Sequence, residues 1–201
     1  MKIYQVFAAL LFAQLISGCA STNKQSAALT VKVEPYDQPF SFEGKGSGAG
    51  MMLVGAMGPA GIAIGVAIDV GIGKDIYAAF EREGYTVPAL VTRAFSDAHN
   101  DICESQRASG KASGALPLNF SIKINKLGFV LVSGGDDYVR SEFDLSVSAD
   151  GQVHRIAAVT EPSSRVTLEE LKASGVNSST LLYHDMHIQM TGLLRRDGSA
   201  E

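Results

Sequence analysis

Between Lys45 and Asp69 the chain carries no charge, and that run sits inside a stretch, residues 44–73, that holds ten of the protein's 21 glycines. Few folds accept so long an apolar segment with so little side-chain bulk. At about 1.5 Å per residue the uncharged run is long enough, if helical, to cross a bilayer. Small residues recur four apart: Gly46 with Gly50, Ala56 with Ala60, Gly61 with Gly65, Ala63 with Ala67. On a helix that spacing puts them on one face, where a second backbone can approach closely. Gly58-Pro59 interrupts the run. Proline lacks an N–H and disfavours helix in the residue before it, so two halves joined by a turn are expected, each too short to cross alone. Three arrangements remain: membrane insertion or self-association through the small residues, a hairpin packed on the domain, or a loop. In the packed hairpin, Met51, Met52, Leu53, Val54, Ile62, Ile64, Val66 and Ile68 would be covered by protein. A phosphate-binding loop is excluded, because Gly44-Lys45-Gly46-Ser47-Gly48 lacks the required spacing and no apolar strand runs directly into it.

The N-terminus carries an address. Met1 and Lys2 form a short positive region, followed by an apolar core from Ile3 to Ile16 that is too short to span a bilayer comfortably. Ile16-Ser17-Gly18-Cys19 resembles the bacterial lipobox, an aliphatic residue and two small ones before a cysteine. The resemblance implies cleavage between Gly18 and Cys19 and attachment of acyl chains to Cys19. Residues 1–18 are then a signal peptide, 19–28 a polar tether, and 29–201 one periplasmic domain that includes the glycine-rich stretch. Ala20 stands where an aspartate would mark inner-membrane retention, so the resemblance implies the outer membrane, periplasm-facing, if the source is Gram-negative. Residues 44–73 likewise resemble the glycine-zipper segments of bacterial envelope lipoproteins of the rickettsial surface-antigen type, over that stretch alone.

Loss of Lys2 with the signal moves the formal charge of −4 one unit further negative. A mildly acidic chain without basic clusters has no footprint for nucleic acid. Acylation of Cys19 leaves Cys103 without an intrachain partner, and its apolar helical surroundings predict a buried, inert thiol.

The remainder reads as α+β. Residues 29–33 alternate as a short strand; 74–83 are helix-like; a second helix starts at Pro88, with Val91, Phe95, Ala98 and Ile102 on one stripe. Leu118, Phe120, Ile122 and Ile124 alternate, then the phase shifts through Leu127, Phe129 and Leu131, which predicts a bulge. Gly134-Gly135-Asp136-Asp137 turns the chain, Val139 to Val147 alternate, and Asp150-Gly151 signals a hairpin returning through residues 153–160. Thr167-Leu168-Glu169-Glu170 is a capping box for a helix ending at Gly175. Residues 178–196 fit helix or strand, with helix preferred. The expected architecture is an antiparallel meander of three to four strands, with helices on one face and a glycine-rich apolar hairpin.

Chemistry is sparse. His184 and His187 share a helix face but lack further ligands, so a solvated polar face is expected, as is an ordinary turn at Asp136-Asp137. No nucleophile elbow occurs. No catalytic residue, metal or cofactor is therefore expected. The leading expectation is a non-enzymatic envelope lipoprotein, bound to the membrane through acylated Cys19 and serving as accessory or adaptor in a membrane assembly. Its partner would be a second copy or another envelope protein. The alternative is a periplasmic ligand-binding module with the glycine-rich hairpin as a flap.

Overall fold

Alternation of apolar and polar residues over two long neighbouring strands builds the frame. In the computed structural model, which describes residues 29–109, 119–132, 138–159 and 165–197, β3 (Asn119–Val132) pairs antiparallel with β4 (Tyr138–Ala149). Phe120, Ile122, Leu127 and Phe129 of β3 and Val139, Phe143, Leu145 and Val147 of β4 are buried on one face. The expected bulge is present: the register shifts between Ile124 and Lys126, which keeps the apolar residues on that face despite the odd spacing. β5 (Gln152–Val159) returns along β4 through Asp150 and Gly151. Both turn residues have positive φ, 48° and 82°, as a two-residue hairpin turn matched to strand twist requires. The turn expected at residues 134–137 lies outside the described residues.

The meander is not the whole sheet. β1 (Thr30–Val33) and β2 (Ser41–Glu43) lie end to end along the free edge of β3, both parallel to it, and the two-residue β6 (Val166–Thr167) pairs antiparallel with the start of β4. The sheet is therefore mixed, not purely antiparallel. The cause is connectivity: helices separate β2 from β3, and a strand reached by such a crossover runs parallel.

Helices α1 (Lys45–Met57), α2 (Pro59–Arg82), α3 (Val87–Ala108), α4 (Leu168–Ala173) and α5 (Gly175–Asp197) complete the fold. The α3 stripe of Val91, Phe95, Ala98 and Ile102 is buried as expected. Residues 178–196 are helical, within α5, and bury Leu182, Met186 and Met190 against the sheet. Gly175 opens α5 rather than closing α4. A Cβ there would lie 2.6 Å from Ala79 O and from Phe80 Cα, so glycine permits this helix end to press on α2. The capping box forms, with the Glu170 N–H donating to Thr167 Oγ1 (3.3 Å) and the Thr167 N–H to Glu170 Oε2 (2.8 Å). One polar pair enters the core: Ser141 Oγ donates to Asp185 Oδ2 at 2.5 Å, which satisfies a hydroxyl and a carboxylate that burial would otherwise penalise. The opposite sheet face is polar. There Lys126 Nζ sits between Glu43 Oε1 (2.5 Å) and Glu142 Oε2 (2.7 Å), and Arg155 forks onto Asp144.

Candidate functional site

The uncharged run folds back on itself at Gly58-Pro59 into two antiparallel helices, α1 and α2. The expected break is real, but the second half does not end at Gly73; it continues through residues 74–82 as one helix of 24 residues. That helix has a bare, apolar outer part and an inner part locked into the core by Ile76, Ala79 and Phe80. Phe80 packs edge-on to Phe40 with ring centroids 5.2 Å apart and lies 5.3 Å from the Tyr85 ring.

Glycine makes the seam between the helices. A Cβ on Gly46 would fall 1.8 Å from Gly65 O, one on Gly65 2.3 Å from Gly46 O, and one on Gly61 2.6 Å from the Leu53 carbonyl carbon. Gly50 is the more tolerant member, its Cβ position lying 3.2 Å from Gly61 O. Four of the eight small residues spaced four apart, Gly46, Gly50, Gly61 and Gly65, are thus spent on a contact within the chain. Ala56 and Ala60 flank the turn, and they and Ala63 and Ala67 are exposed.

A carboxylate closes the root. Asp69 of α2 accepts from the Gly46 N–H at 2.6 Å and from the Gly44 N–H at 3.4 Å. α1 has no side-chain cap of its own, so Asp69 supplies from another helix the acceptor that its first turn lacks, and sets a negative charge at the positive end of its dipole. Gly73 lets the hairpin meet the sheet, since a Cβ there would lie 2.0 Å from Phe40 O. Sequence reasoning missed β2, Gly73 and the role of Asp69. The signal for Asp69 was available: about the Gly58 turn, Gly46 mirrors Asp69 and Gly50 mirrors Gly65.

Outside the seam the hairpin is apolar and uncovered. Met51, Met52, Ile62 and Val66 are 76, 86, 57 and 58% exposed, and Val54, Met57, Ile64, Ile68 and Val70 are exposed as well. The hairpin packed beneath protein is thereby corrected, with only Leu53 of its residues half-covered. Among the described residues no helix is long and apolar enough to cross a membrane. α2 has the length, but Asp69, Lys74 and Asp75 charge its inner half.

The remaining candidates are structural. His184 is exposed, and His187 stacks on Tyr183 with its Nε2 3.1 Å from Asp101 Oδ2. Tyr183 donates to Asp97 at 2.7 Å beneath the Arg93 guanidinium. That bond to Asp97, with burial second, raises the Tyr183 hydroxyl above its usual 10.0. His187 therefore belongs to the seam between α3 and α5, His184 stays outside it, and among the described residues no group of three His, Cys, Asp or Glu could hold a metal ion. Cys103 is half-buried, its Sγ 3.7 Å from His99 Nδ1. Gly18, Cys19 and Asp136-Asp137 lie outside the described residues. No protein-family model, curated protein or solved structure matches this chain.

Proposed function

We propose that this chain is a non-enzymatic envelope lipoprotein. Acylated Cys19 holds it to a membrane, and its α+β domain presents the α1–α2 hairpin as a second, apolar interaction element for a membrane assembly. One observation carries the reading: the hairpin is preorganised by its own glycine seam and Asp69, yet leaves a large uncharged surface open. Monomeric proteins seldom expose apolar patches beyond about 300–600 Å² unless something binds there. Nine large apolar side chains are exposed within residues 51–70 of this hairpin. Among the described residues, the side-chain clusters outside the hairpin are engaged in capping, helix packing and ion pairs.

The test is fractionation of cells expressing the full precursor, with labelled palmitate. The expected result is palmitate on the wild-type protein and none on Cys19→Ser, with the wild-type protein in the membrane pellet. A mature, unacylated protein in the soluble fraction would overturn the reading.

A further inference from the structure

We propose that the α1–α2 hairpin inserts into the bilayer to the depth of one leaflet, with Lys45, Asp69 and Lys74 marking the water-facing root. This rests on the membrane tether proposed above, which keeps a bilayer within reach, and it commits to lipid rather than to a second protein as occupant.

Two observations select lipid, and a third is compatible with it. The first is the distribution of apolar surface. A protein–protein contact needs one face, and a helix apolar all round is the pattern of full immersion. At 100° per residue, Met51, Met52 and Val54 leave α1 in three directions, and all are exposed. On α2, Ile62 and Val66 line one flank and Ile64 and Ile68 the other, with exposed alanines between them. The seam glycines, which would otherwise admit a helix from another molecule, are already filled from within the chain.

The second is length. From the turn to Asp69 the outer part of α2 comprises residues 59–68, a rise of about 15 Å, and half of a hydrocarbon core of about 30 Å is the same depth. Charge begins at that level on both helices, at Lys45 and Asp69, and continues at Lys74 and Asp75. Lysine stems can follow an apolar surface while the ammonium stays in water.

The third is the tip. Burial in hydrocarbon penalises each unpaired N–H by several kcal/mol. Here the Gly58 N–H donates to Val54 O at 2.9 Å, the Gly61 N–H donates to Gly58 O at 3.0 Å, and Pro59 has no N–H. These are the ordinary closing bonds of α1 and of the first turn of α2, and they reduce the number of donors that hydrocarbon would leave unpaired at the tip.

The experiment uses the acylated protein reconstituted into phosphatidylethanolamine–phosphatidylglycerol vesicles. Cys103→Ala is the background, and single cysteines are introduced at Met52, Val66 or Lys74 for an environment-sensitive fluorophore. The expected result at 52 and 66 is a blue shift, quenching by lipids spin-labelled on the acyl chain, and several-fold weaker quenching by aqueous iodide. The probe at 74 should stay iodide-accessible. Iodide access at 52 and 66 in vesicles would overturn insertion. So would protection that appears without lipid as protein concentration rises, together with a doubled mass, which would make a second copy the occupant. Failure of the anchor is read separately: without acylation, Cys19 itself takes the fluorophore in the Cys103→Ala background. Because Met51 and Ile62 are exposed, Met51→Asp with Ile62→Asp should leave the helical circular dichroism intact while reducing quenching of the probe at 66 by the spin-labelled lipids several-fold.

Discussion

At Gly65 the difference between hydrogen and methyl decides whether two helices touch. With Gly46 O only 2.3 Å from where a Cβ would stand, Gly65→Ala must part the seam, and overpacking of this kind costs about 1–3 kcal/mol. Gly71 on the same helix has nothing within 4 Å of its Cβ position, so Gly71→Ala should stabilise by up to about 1 kcal/mol through helix propensity. Hydrogen exchange of residues 49–68 reads the contrast: faster in Gly65→Ala, slower or unchanged in Gly71→Ala. Equal behaviour of the two would dismiss the seam. Asp69→Ala removes the acceptor for Gly46 and Gly44, and loss of a capping acceptor costs about 1 kcal/mol. Its signature should be faster exchange confined to the first turn of α1 and the adjoining part of α2. The core is less forgiving. Phe80 is fully buried among aromatic rings, and Phe80→Ala should cost about 3–5 kcal/mol in urea denaturation.

Elements carry the pH dependence. Glu170 accepts from the Thr167 backbone N–H and hydroxyl, which hold its carboxyl below the usual 4.5; Asp144 is held below 3.8 by its bonds to Arg155. A carboxylate with a depressed folded pKa adds stability above its unfolded value, and that stability disappears as pH falls through the folded value. Urea midpoints taken from about pH 6 to about pH 3 should therefore drop less steeply in Asp144→Asn and Thr167→Ala than in the wild type. Both effects should be small, because solvent screens ion pairs and hydrogen bonds at the surface. Parallel pH curves for all three proteins would remove these two groups from the account. Elements were also what the sequence conveyed best. The α3 stripe, the β3 bulge, the Asp150-Gly151 turn and the Thr167 capping box each follow from a local rule that the residues obey within one or two turns of chain. β2 was hidden because three residues after a proline are too few to show a period. Its parallel direction, like that of β1, depends on a partner on β3 reached only after three helices and the chain beyond them. The hairpin was legible as two halves with a break. Which surface its glycines would face was not, because seam and exterior are equally apolar and only the mirror spacing about Gly58 tells them apart.

For the whole molecule, the placement of β1 matters more than its four residues suggest. Thr30 pairs with Asn119 at the beginning of β3, whereas the hairpin leaves the sheet at Gly44, beside Leu131. Between those points β3 runs 12 residues, about 40 Å of extended strand. The segment from Cys19, the proposed lipid anchor, to the domain is ten residues, with a contour of about 35 Å at full stretch. The proposed anchor and the hairpin would thus be mooring points at opposite ends of a hull, on a rope slightly shorter than the hull itself. If both hold the same bilayer, the domain cannot stand upright on its hairpin and must heel over toward the surface. Rope length then becomes a measurable control on posture: removing residues 22–26 should increase the heel. A distance probe between Asp150, at the anchor end, and the bilayer surface should shorten, while a probe at Lys74 should not move.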